Sequence, residues 1–121
     1  MLKERVTAQP RYRNEFHATM QLIRGKWKIM ILFELAEVKV SRFADLQHHI
    51  QAVSHKTLAS QLKELEQDEL IERHDFKTAQ PHVEYRLTAK GQSLIPILDA
   101  ICTWGDQHVD PALIERSLCD E

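Results

Sequence analysis

The fold class this sequence predicts is mainly α-helical with one small β-hairpin, on three observations. Five segments repeat apolar residues at helical spacing, one late segment alternates with period two, and a three-residue connection joins the third and fourth helical segments. At 121 residues the chain is about one domain long, and it contains no internal repeat or Gly/Ser linker.

The first helix is expected over about 14–24, where Phe16, Met20 and Ile23 share one stripe until Gly25 interrupts it. The second, about 27–37, is apolar nearly all round (Trp27, Ile31, Leu32, Leu35 and their neighbours), which suits a helix in the middle of a domain. Ser41 reads as the N-cap of a third helix carrying Phe43, Leu46 and Ile50. Only Gln51-Ala52-Val53 separates it from a fourth helix, opened by Ser54 and running to about Asp68. Leu58, Leu62 and Leu65 form the buried stripe of that helix, and polar side chains occupy its other faces.

The period then changes. Val83, Tyr85 and Leu87 alternate with Glu84 and Arg86 as a half-buried strand, 70–76 is its partner, and the polar stretch 77–82 with Pro81 is the hairpin loop. The last helix, about 88–104, contains Pro96, and its apolar residues from Leu94 to Trp104 cover about half its circumference. A helix packed only on its own small domain needs a narrower stripe, so a second subunit is expected to cover the excess.

Two helices joined by a tight turn and followed at once by a polar-tipped hairpin make a winged helix-turn-helix. In that arrangement the second helix of the pair reads base edges in the DNA major groove, and the wing meets the backbone or minor groove. His55, Lys56, Thr57, Ser60 and Gln61 are the candidate readers, and the free amides near Ser54 suit a phosphate oxygen. Arg73, Lys77, Thr78 and Gln80 are the candidate wing contacts. The expected dimer interface is Phe16, Met20, Ile23, Leu94, Leu98, Ile101 and Trp104, drawn from helices at both termini.

The net charge of −2 argues against a nucleic-acid partner, while its distribution allows a basic face toward phosphate, although on charge alone solvated helix faces with no partner are the plainer reading. Residues 1–42 hold nine Lys/Arg against four acids, and 94–121 hold one against six, so the chain is polarised into a basic and an acidic half. The domain reading is a basic arm at 1–13, a DNA-binding and dimerisation domain at 14–108, and an acidic tail at 109–121.

The segments GKWKIMILFEL (25–35), RFADL (42–46), VSHKTLASQLKELEQDELIER (53–73), PHVEYRLTAKG (81–91) and LIPILDAICTWG (94–105) closely resemble the HxlR-type family of bacterial winged-helix regulators, within the broader MarR-like class. The resemblance spans about residues 14–108 and implies homodimers, formed through the terminal helices, that bind operator DNA. Family members usually carry a cysteine just before the first helix, which some use to sense oxidants. Asn14 stands there, so thiol sensing at that position does not carry over. Two customary glycines are also missing: Glu69 follows the fourth helix, and Val38-Lys39-Val40 precedes the R-F segment. A non-glycine residue at 69 is expected to take a left-handed conformation at a cost of about 1 kcal/mol.

Other readings are weaker. Seven histidines invite a metal site, but adjacent His48 and His49 point about 100° apart and no H-x-x-x-H pair occurs, so no metal or other cofactor is expected. Cys102 and Cys119, with no C-x-x-C, fit a reduced cytoplasmic setting, Cys102 acting as a small hydrophobe. No membrane-spanning run or signal peptide is read, and neither a phosphate-cradling glycine loop nor a nucleophile elbow suggests an enzyme. The alternative function is a winged-helix module that binds protein instead of DNA, kept open by the acidic stretch Glu64, Glu66, Asp68, Glu69 and Glu72.

Overall fold

The computed structural model describes residues 10–115. Most of the expected basic arm, the end of the acidic tail and Cys119 lie outside them. Helices α1 (Glu15–Leu22), α2 (Lys28–Val38), α3 (Phe43–Ile50) and α4 (His55–Gln67) precede strands β1 (Ile71–Phe76) and β2 (His82–Leu87), and α5 (Ala89–His108) follows. A 3₁₀ turn, Pro111–Leu113, closes the described chain.

Local chemistry sets most boundaries. Asn14, Ser54 and Thr88 cap α1, α4 and α5, each side-chain oxygen accepting the backbone N–H three residues on. The core is aliphatic, with Ile31, Leu32 and Leu35 of α2 fully buried beside Leu46, Leu58, Leu65, Leu70 and Ile71. Burial of each such side chain contributes about 1.5–3 kcal/mol. That central place of α2 follows from its lack of a polar face. Strands β1 and β2 pair antiparallel, from Ile71 opposite Leu87 at the root to Phe76 opposite His82 near the tip. His82 therefore belongs to β2, which shortens the expected loop to residues 77–81.

Four features differ from, or add to, the expectation. Ser41 does not cap α3. It is buried, and its backbone N–H and C=O pair with Tyr85 at 3.0 and 2.8 Å, adding a one-residue bridge beside β2. Arg42 takes the cap position without a side-chain bond. Lys39 has φ 75° and ψ −51°, and Val40 N–H donates to Val38 O at 2.9 Å, which makes a γ-turn of the strained, positive-φ kind. Gln51 and Ala52, in the turn between α3 and α4, both have positive φ, at 57° and 63°.

Glu69 has φ 63°, as the missing glycine implies. Leu70 N–H reaches Leu65 O at 3.0 Å and Glu69 N–H reaches Glu66 O at 2.9 Å. This is a Schellman termination of α4, closed by two buried leucines in place of a glycine's freedom.

Candidate nucleic-acid interface

Helix α4 is fastened from behind and open in front. Leu58, Leu62 and Leu65 are buried, while His55, Lys56 and Ser60 are exposed and Thr57 and Gln61 half-buried. Ser54 Oγ accepts the Thr57 N–H at 3.0 Å, fixing the first turn. The His55 ring tilts against Phe43 of α3, centroids 4.5 Å apart. Ala59 is also exposed among the polar residues. Sequence reasoning passed over it because a methyl group carries no polar signal, yet a methyl suits contact with thymine.

One ion pair ties α4 to the centre of the domain. Lys28 of α2 is only 3% exposed, and its Nζ lies 2.6 Å from Oε1 of Glu64, which is 44% exposed. The Lys28 hydrogen bond and then its charge hold the Glu64 carboxyl below its ordinary value of 4.5. Lys28 is therefore a structural cation, and the basic N-terminal half offers DNA one charge fewer than its sequence suggests.

The wing has its own internal order. Phe76 stacks on His82 across the hairpin at 4.7 Å, and His74 tilts against Phe76 along β1 at 4.4 Å. Thr78 Oγ1 donates to Gln80 O at 3.2 Å and accepts the Gln80 N–H at 3.3 Å, which shapes the tip. Arg73 lies 3.8 Å from Asp75 and shares its charge. Lys77 is exposed and has no ion-pair partner among the described residues. Of the wing cations it is the freer to meet phosphate.

At the hairpin root, Thr88 joins three elements. Its hydroxyl donates to Glu69 O at 2.6 Å, its N–H donates to Leu70 O at 3.1 Å, and its Oγ1 accepts the Gly91 N–H at 3.0 Å. The wing and α5 thus share one hydrogen-bonded corner.

The seven expected interface residues separate into two groups. Ile23, Leu94 and Leu98 are buried in the chain's own core, so they have little area to offer a partner. Phe16, Ile101 and Trp104 are 72%, 53% and 61% exposed, and Met20 is partly buried. Ile97, 54% exposed, joins Ile101 and Trp104 at i, i+4 and i+7. The broad apolar arc of α5 is two stripes, one for the core and one for the surface. Cys102 differs from expectation in another way, since it is disulfide-bonded and not an isolated small hydrophobe. No helix of the described residues is long and apolar enough to cross a membrane, and no group of three or more His, Cys, Asp or Glu among them could hold a metal ion.

A helix-turn-helix whose second helix has an exposed polar face, followed by a hairpin wing, defines the class of winged-helix DNA-binding regulators. The HxlR-like helix-turn-helix family matches residues 22–113, and the chain belongs to it. It is 48% identical over 90 residues to the HTH-type transcriptional regulator BH0655 of Halalkalibacterium halodurans, covering 74% of this chain and 80% of that one. Among solved structures it resembles the HTH-type transcriptional regulator ytcD with TM-score 0.75 at 38% identity, over 79% of this chain and 97% of the other. It also resembles the redox regulator HypR in its reduced form, with TM-score 0.74 at 30% identity, over 80% and 95%. The chain is therefore a DNA-binding transcriptional regulator and not an enzyme.

Proposed function

We propose that this regulator binds a roughly palindromic operator as a homodimer, with α4 in the major groove and the 77–81 wing on the backbone or minor groove. The observation that carries the reading is the row His55, Lys56, Ser60 and Gln61, presented on a helix whose opposite face is locked into the core. Ser54, Thr57, Arg73, Thr78 and Gln80 complete the contact set. The two protomers meet through the surface stripe of α5, formed by Ile97, Ile101 and Trp104, with exposed Phe16 of α1 as a further interface residue. Half-sites about one helical turn apart, or a small multiple of it, follow from the two-fold symmetry of such a dimer. Residues 14–108 act as the DNA-binding and dimerisation domain in this reading.

Alanine at Gln61 or Ser60 is expected to weaken operator binding by about 1–3 kcal/mol and to relax preference at one base pair per half-site. Lys77→Ala is expected to weaken operator and random DNA alike, and to flatten the salt slope by about one unit per contact removed. Fluorescence anisotropy at several salt concentrations separates these effects. If replacing His55, Lys56, Thr57, Ser60 and Gln61 together leaves affinity and preference unchanged in a folded protein, α4 is not the reader.

Ile101→Asp places a charge in the surface stripe and is expected to give monomer, read by sedimentation. A soluble dimer of unchanged affinity would move the interface elsewhere. The acidic stretch behind the protein-binding alternative is weakened by Glu64, whose carboxylate is already engaged by Lys28. A salt titration against random duplex decides between the two readings, since a protein-binding module has little DNA affinity to lose.

A further inference from the structure

A half-open cavity of about 460 Å³ lies between α2, β2 and α5. That volume falls within the range of small-molecule sites. Leu35, Leu87 and Ile95 supply aliphatic wall, and Lys39, Arg86 and Gln92 supply polar groups. None of the three polar side chains is fully occupied. Arg86 Nε is buried and has no hydrogen-bond partner. Its Nη2 is 3.8 Å from Glu84 Oε1, too long for a hydrogen bond, and the other oxygen of that carboxylate already meets His82 Nε2 at 3.0 Å. Among the described residues, neither the Lys39 ammonium nor the Gln92 amide has a partner. A buried donor left unmade is unfavourable, so an acceptor arriving there recovers free energy.

We propose that this cavity binds a small organic carboxylate with an apolar body. The carboxylate bridges the Arg86 guanidinium and the Lys39 ammonium, with the Gln92 amide as a further donor, and the body lies on Leu35, Leu87 and Ile95. A purely polar anion would leave the aliphatic wall in water, and a neutral apolar molecule would leave Arg86 Nε unmade. The planar fork of arginine matches a carboxylate better than a point charge does. The site touches both a wing strand and α5, which is a suitable place for an effector to act.

The test is an NMR titration of the full chain, free of DNA, with benzoate, benzyl alcohol and acetate up to about 20 mM, a range chosen for weakly binding fragments. Benzoate is expected to give saturable shifts at the Arg86 Nε–H and at the Leu35, Leu87 and Ile95 methyls. Benzyl alcohol and acetate should each bind at least about tenfold more weakly, and Arg86→Gln should weaken benzoate by a similar factor. Lys39→Gln, at an exposed position, is a second variant that avoids any folding defect at Arg86, and it should weaken benzoate several-fold. Absence of saturable shifts, equal binding of either control, or benzoate affinity unaltered in both variants would overturn the proposal. Because no DNA is present, each of these outcomes leaves the operator reading untouched.

Discussion

Gly91→Ala is expected to destabilise the domain by about 3 kcal/mol or more, the range of severe overpacking. A Cβ at Gly91 would collide with the Leu70 carbonyl oxygen, and it would lie 3.1 Å from Leu70 C and 3.3 Å from Leu87 Cδ2. The first two are backbone atoms at the hairpin root, where Leu70 O also accepts the Thr88 N–H. They cannot yield without pulling the wing from α5. Urea denaturation measures the loss, and an unchanged midpoint would mean that the corner is looser than its hydrogen bonds imply.

Glu64→Ala should cost about 2–3 kcal/mol, somewhat below the usual figure for breaking a buried pair because Glu64 itself is half-exposed. The loss comes from Lys28, which would keep its ammonium buried without a partner. Lys28→Met removes the charge together with the need for a partner, and it is expected to be neutral or slightly stabilising. The asymmetry between the two variants is the signature. Equal losses from both would mean that the attraction, and not the burial of Lys28, dominates. Acid should act as Glu64→Ala does. The carboxyl has a lowered folded pKa, so its contribution is complete above the ordinary value of 4.5 and is lost as pH falls through the lowered one.

Sequence reading succeeded where one element carries its own evidence. The Leu58, Leu62, Leu65 stripe needs nothing outside α4, and the caps at Ser54 and Thr88 are decided within a few residues. Glu69 could be placed in left-handed backbone because the resemblance supplied the missing glycine. What escaped depends on partners distant in the chain. Ser41 looked like a cap because a single bridged residue leaves no periodicity, and its partner Tyr85 lies beyond α4. Lys28 looked like one more surface cation until the fold enclosed it beside Glu64. The apolar arc of α5 was legible, but its division into core and surface stripes depends on where α2 lies. Gln51 and Ala52 are ordinary residues with no preference for positive φ, so their turn is imposed by the two helices they connect. The three polar groups around the cavity come from three separate elements and share no sequence pattern.

The corner at Thr88 also has a mechanical consequence. Three hydrogen bonds and a glycine contact without spare room leave almost no slack between the hairpin root and the first turn of α5. The hairpin is therefore a crank on the shaft of α5, so a small roll of the shaft becomes a sweep of the Lys77 tip. Pairing of two such shafts at Ile97, Ile101 and Trp104 would set the angle of each crank. The separation of the two wing tips, and with it the DNA spacing that both can reach, would then be decided by packing well away from any base.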